Sequence, residues 1–461
     1  MILNNAELRK NIWLDFSSHR MILTPIIIGL IIYLFYLATT LSFAATISYY
    51  LACFFIFLWG TKNASEAVIE EANQNTWDFQ RQSAMTPFEM SLGKLLGSTL
   101  FAWYGALICL TIYVGLSAQI SNANTSFLGT NIKFLERTGV PLNLFILICG
   151  GLFTQTIALL LSLQIMPSSR YNKNIKSFRY FLIALIIGSQ FTSNSLVFSK
   201  FGNNLVNWHN IDINQLNFVL SSLVIFLAWG LIGLYRSFAK ELQYPNVPWA
   251  WLLFNVFCLI YFSGLATFKQ FDATHFEKLE SLKAIYTSVP TYFAFIVALI
   301  LMYTAIIIDN LSILQYKKLL IGFKQGRLIE ALGHLPKWVV SFALVLVTGF
   351  ICLTRPLPTS DLIPNFSSTA LIITTSLFAI RDICLLHYFN FKQPNRILST
   401  FVLYLFMLYI IIPGVLSLIQ LSSALPAFIP SYGQNTVLAL GSTGAQIITL
   451  IAWIKHKTRD A

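Results

Sequence analysis

The sequence predicts an all-α polytopic membrane protein of about twelve transmembrane helices, and three observations carry that prediction. Only 10% of the 461 residues are charged and 56% are hydrophobic, whereas a water-soluble domain carries roughly 25% charged residues. Apolar stretches of about 20 residues recur along the chain, each long enough to cross a hydrocarbon core about 30 Å thick. Runs such as Ile26-Ile27-Ile28-Gly29-Leu30-Ile31-Ile32 lack the alternation of a membrane β-barrel strand. The spans fall at residues 21–40, 44–61, 95–118, 142–163, 180–198, 217–235, 250–268, 286–308, 338–354, 368–386, 399–421 and 436–454.

Taken in order, residues 1–20 form an entry segment. Asn4 can cap a helix with Glu7 three residues later. Leu8, Ile12 and Phe16 make an apolar stripe, Trp13 suits an interface, and Arg9 and Lys10 face the other way. This is either a surface-lying entry helix or a leader that only sets topology. The first apolar run begins at Met21 and is span-length, so no cleavable signal peptide is expected.

Between the second and third spans lies a polar stretch, residues 62–94. Glu66, Glu70, Glu71 and Asp78 place acids in it, and Val68, Ala72 and Phe79 share a helical face. At Met85-Thr86-Pro87-Phe88-Glu89-Met90, Thr86 suits an N-cap and Pro87 the first helical position. Glu89 completes a capping box, and Met85 and Met90 are spaced as a hydrophobic staple. A helix therefore begins at Pro87, passes Gly93 and Lys94 without stopping, and reaches about Ala118. That is over about 45 Å at 1.5 Å per residue, longer than the bilayer core. The stretch reads as a helix-turn-helix elbow able to act as a lever on a span, or as a solvated loop ending in a well-capped helix.

Charge orders the spans. With the N-terminus inside, twenty-three of the thirty Lys and Arg residues fall on the inner side, as the positive-inside rule requires. An even span number with both termini cytoplasmic follows. The net charge of +12 is then a topology signal and not a sign of nucleic-acid binding; the basic inner loops also favour anionic membrane lipid as a partner. Within the spans, Gln155, Asn255 and Gln446 either line a path or join helices. Arg381-Asp382, placed near the inner end of the tenth span, is an intramembrane functional candidate or a local interfacial pair. The six cysteines lie in or beside apolar runs with no CxxC pair, so they read as core residues. No P-loop, H-E-x-x-H or G-x-S-x-G pattern occurs, and no catalytic or metal-binding residue is expected.

Glu70-Glu71, Thr76-Trp77-Asp78, Arg81, Ser83, Thr86-Pro87, Glu89 and Gly93-Lys94-Leu95 resemble the inner loop of type-2 ABC transporter permeases. That family carries a Glu-rich segment, an acidic residue soon after a small-residue pair, a Ser/Thr-Pro turn, a Glu, and Gly-Lys opening the next span. Glu7-Leu8-Arg9-Lys10-Asn11-Ile12-Trp13 with His19-Arg20 and Pro25 is similar to the entry helix of some bacterial members. The resemblance implies a non-enzymatic permease subunit of a bacterial inner-membrane export system. Its coupling elbow would comprise Glu70, Glu71, Thr76, Trp77, Arg81, Met85, Thr86, Pro87, Glu89, Gly93 and Lys94. The elbow would rest on a separate P-loop ATPase subunit, which would hold the ATP and Mg; this chain would carry no cofactor.

The family commonly has six spans per domain. Twelve spans then imply two diverged halves, 21–245 and 246–461, or, if only one half forms the pore, a homodimer. The loop Asp309 to Lys337 would be a second coupling loop through Arg327, Pro336, Lys337 and Trp338, with Pro336 placed as Pro87 is. Leu335 is no cap, however, and no Glu follows at the required spacing. Two other functions stand beside this one. A twelve-span secondary transporter would need midplane carboxylates or broken helices. A membrane-embedded transferase would need a polar cluster, for which Arg381, Asp382 and His387 are the compact set.

Overall fold

The computed structural model describes residues 5–83, 85–122, 140–164, 177–200, 205–244, 249–265, 279–309, 313–355, 367–392, 397–430 and 435–459. The chain is an all-α, multi-pass membrane protein. Among the described residues, ten helices are long and apolar enough to cross a membrane, and two further apolar helical stretches, Phe178–Gln190 and Trp249–Leu265, are shorter. Each of the twelve predicted apolar segments is mainly helical where it is described, and ten of them lie in helices long and apolar enough to span. The chain divides into two compact units, 1–206 with 213–246, and 207–212 with 247–461.

The first unit begins with α1 (Ala6–Asp15), α2 (Ser18–Ala38) and α3 (Leu41–Cys53). A π-helical segment, Phe54–Gly60, joins α3 to α4 (Thr61–Asn73) without a break, followed by the short α5 (Trp77–Arg81). The second span and the first arm of the inner elbow are therefore one continuous helix. Next come α6 (Pro87–Asn122), α7 (Val140–Gln164), α8 (Phe178–Lys200), a hairpin of β1 (Leu205–Trp208) and β2 (Ile211–Asn214), and α9 (Gln215–Glu241).

Small residues set the packing here, as expected where lipid removes the hydrophobic drive between helices. A Cβ on Gly150 would lie 2.6 Å from Thr192, and one on Gly188 would collide with Thr154, so α7 and α8 meet through reciprocal Gly–Thr contacts. α4 is closed by Asn75, two residues past its end, at φ 59. The Asn75 and Thr76 N–H groups donate to Ala72 and Glu71 carbonyls, a Schellman closure that satisfies the helix end.

The second unit holds α10 (Trp249–Leu265), α11 (Leu279–Ile308), α12 (Ile313–Lys324), α13 (Leu328–Gly333), α14 (Lys337–Thr354) and α15 (Ser368–Lys392). Beyond these lie α16 (Ile397–Phe406), a second π-helical segment (Met407–Ile411), α17 (Ile412–Leu418), a 3₁₀ turn (Ser422–Ala427) and α18 (Thr436–Arg459). Its core gathers Phe295, Met302, Val345, Ile372, Leu386 and Phe401 from α11, α14, α15 and α16. The tip of the β1–β2 hairpin, residues 207–212, belongs to this unit and docks on α10. Trp208 Nε1 donates to the Tyr261 carbonyl (3.1 Å) and the His209 ring meets the Ile260 carbonyl at 3.0 Å.

Candidate functional site

The capping signals at Thr86 operate as the sequence predicts. Glu89 Oε2 accepts from the Thr86 backbone N–H (3.0 Å), and Thr86 Oγ1 accepts from the Glu89 N–H (3.3 Å). Pro87 opens α6. Met85 and Met90 join one apolar cluster with Val68, Trp77, Leu95, Leu159, Leu234 and Phe238. The elbow thus has its own core, fed by α4, α5, α6, α7 and α9. Phe79, expected on that core face with Val68 and Ala72, points outward at 77% exposure. Trp77 takes its place, because the left-handed Asn75 re-phases α5 relative to α4. Trp77 packs against Phe238, and Arg81 Nε donates to the Glu241 carbonyl (3.0 Å) at the end of α9. Thr76 Oγ1 donates to the Glu71 carbonyl at 3.2 Å. Glu70 stays exposed.

At the centre of this site is a buried ion cluster that the sequence alone does not disclose. Lys94, 1% exposed, bonds Glu7 at 2.7 Å and Glu71. Lys10 also reaches Glu71 (3.1 Å) and, more loosely, Glu7 (3.5 Å), and Gln80 Nε2 donates to Glu71 Oε1. Two lysines and two glutamates balance one another, and the amide adds a neutral donor. Burial alone would pull the Lys10 ammonium down; Glu7 and Glu71 beside it outweigh that and raise it above the ordinary lysine value. The cluster ties the entry helix, the first elbow arm and the third span together.

The entry helix departs from the sequence reading in two ways. Its cap is Asn5, whose Oδ1 accepts from the Glu7 and Leu8 N–H groups (3.0 and 3.2 Å); Asn4 lies outside the described residues. The face turned to the protein is the polar one. Asn5 Nδ2 donates to the Glu89 carbonyl (2.6 Å), and Gly93 and Gly97 leave room for Asn5 and Asn11, which a Cβ at either glycine would strike at 2.7 and 2.5 Å. Lys10, predicted to face away, points into the cluster. Of the apolar stripe, Leu8 is buried, Phe16 packs edge-on against Tyr104, and Ile12 is exposed beside Trp13, which is 82% exposed. The buried charge on Lys94 decides this orientation, since an unpaired ammonium costs more than two exposed apolar side chains.

The predicted intramembrane residues separate into two kinds. Gln155 is a joint: its Nε2 donates to the Ile56 carbonyl (3.1 Å) inside the first π-helical segment, and its Oε1 accepts from Trp103 Nε1 (2.9 Å). A π-segment misaligns the helical ladder and frees carbonyls, and Gln155 satisfies one. Asn255 is a joint too, since Trp251 Nε1 donates to Ser341 Oγ (2.9 Å), which donates to Asn255 Oδ1 (3.3 Å), linking α10 to α14.

Arg381 and Asp382 form an enclosed group. Asp382 Oδ1 accepts from Arg381 Nη2 (2.8 Å), while its Oδ2 accepts from Tyr303 (2.7 Å) and Tyr409 (2.8 Å). The guanidinium lies over the Phe378 and Tyr409 rings and reaches Gln446 at 3.5 Å. The sequence placed the pair near the inner end of its span. α15 instead runs on to Lys392, so the pair sits near the middle of the helix. His387 is not part of this group; its ring contacts Tyr316 and Trp338.

In the second loop, Pro336 is not placed as Pro87 is. It is the N-cap residue of α14 and Lys337 is the first helical one. The missing cap comes from a distance: Asp309 Oδ2 accepts from the Trp338 N–H at 3.0 Å. Trp338 Nε1 donates to Tyr316 (3.0 Å), whose hydroxyl burial pushes up to about 12, so it remains a neutral acceptor. The Lys337 ammonium sits over the Trp251 ring, and Arg327 precedes α13. No group of metal-ligating residues occurs among the described residues. In comparisons with known proteins, the chain matches no family model, no curated protein and no solved structure.

Proposed function

We propose that this chain is the membrane-spanning permease subunit of an ATP-driven export system, moving its substrate by alternating access coupled to a separate P-loop ATPase in the bacterial inner membrane. One observation carries the reading. The elbow at 62–94 is continuous at one end with the second span and at the other with the third, and it is braced by Lys94. A force on such an elbow bears on both spans, because each of its arms is an unbroken extension of one of them. Co-purification tests it. The tagged chain should retain an ATPase, and Glu70→Arg, at an exposed position of the elbow, should release it without unfolding the chain. Retention by that variant together with ATP-independent transport would sink the proposal.

A second reading has a specific observation behind it. Asp382 with Tyr303 and Tyr409 near the middle of α15 is the kind of intramembrane carboxylate that ion-coupled carriers use. Reconstituted chain without any ATPase should then transport under an ion gradient alone.

A further inference from the structure

The loop between α11 and α14, which the sequence offers as a second coupling loop, carries an apolar and basic surface outside the elbow at 62–94. In α12, Lys317, Leu320, Ile321 and Lys324 are spaced i, i+3, i+4, i+7 and so share one helix face, and all four are exposed. Phe323 lies at its edge and Leu328 just beyond. These four apolar side chains are 47–59% exposed. Residues 313–328 contain four basic residues, Lys317, Lys318, Lys324 and Arg327, and no acid. Lys317, Lys318 and Lys324 make no ion pair among the described residues.

The helix is also held close to the membrane boundary. Asp309, one residue past α11, caps α14, and Tyr316 accepts from Trp338 in the first turn of α14. The two spans and α12 are thereby pinned at one level. Lys324 lies eight residues beyond Tyr316, about 12 Å along the axis. Gly322 against Ala331 folds α13 back on α12, with Gly326 at φ 70 making the turn.

We propose that α12 and its turn into α13 form an interfacial element that binds the surface of an anionic lipid membrane. Leu320, Ile321, Phe323 and Leu328 enter the headgroup–acyl boundary. The lysines bracket them, their stems on apolar surface and their ammonium groups at lipid phosphates. Three lysines without an ion pair among the described residues fit anionic headgroups. A lipid surface is the occupant that accounts for apolar and basic side chains alternating on one face at the end of a span.

The test is hydrogen exchange of residues 313–328 in the full chain, in nanodiscs of phosphatidylcholine alone or with about one-third phosphatidylglycerol. Exchange should slow in the anionic discs, and high salt should reverse the effect. Each Lys→Gln change at 317, 318 or 324 should cut the protection roughly fivefold, and Leu320→Ser should reduce it in both lipids. Unchanged exchange at the start of α14 controls for folding. Equal exchange in the two lipids overturns the proposal. So does protection that appears only when an ATPase subunit is added, which would make the surface a protein-docking site.

Discussion

Lys94 shows how much one side chain can decide. Its ammonium, with Glu7 and Glu71, is withdrawn from solvent, and a buried charge is tolerated only while its partners stay in place. Lys94→Met leaves two carboxylates without their shared cation and should cost about 3–5 kcal/mol, read as a large fall in thermal midpoint in detergent. Adding Glu7→Gln and Glu71→Gln to that variant should recover much of the loss, since it removes the stranded charges. The Lys10 pairs add a pH signature. A raised lysine contributes its stability in full below its ordinary value of 10.5 and loses it as pH rises through the raised value. Attachment of α1 should therefore be flat from neutral pH to that range and weaken only above it, a trend that Lys10→Met should abolish. Gln155 is a second such residue. Gln155→Leu orphans the Ile56 carbonyl and the Trp103 N–H and should cost about 1–3 kcal/mol, with faster exchange confined to the π-segment.

At the scale of elements, the two elbow-like loops end in span-opening helices by different means. α6 is capped locally by Thr86 and Glu89, whereas α14 is capped by Asp309 from 29 residues earlier. Asp309→Ala should cost about 0.5–2 kcal/mol and fray the first turn of α14, visible in amide exchange at Trp338. Thr86→Ala should fray only α6. α1 lies over Gly93 and Gly97 so closely that Gly97→Val should lift it from α6; proteolysis near Phe16 reads that displacement. The capping box, the passage of α6 through Gly93 and Lys94, and the start at Pro87 were all legible in the sequence, because each depends on residues within four positions of one another. The face that α1 buries was not. Its apolar stripe predicted one orientation, and contact with a glycine groove and a buried lysine imposed another.

For the whole molecule, the pair Arg381–Asp382 separates the competing functions. The paired variant Arg381→Met/Asp382→Asn removes both charges together and so avoids stranding either. An ATP-driven permease should keep ATP-dependent transport with a modest change in stability, while an ion-coupled carrier should lose gradient-driven uptake. The sequence by itself determined the membrane class, the order of the apolar helices, the elbow between the second and third of them and its capped arm. Hydropathy sums along the chain, and caps close within a turn. Only the tertiary structure decided that Lys94 is a buried strut, that Gln155 services a π-segment, that Asp309 caps a distant helix, and that Asp382 sits near mid-helix between two tyrosines. Those partners lie 23 to 99 residues apart, and composition and periodicity carry no record of which distant groups the chain brings within hydrogen-bonding reach.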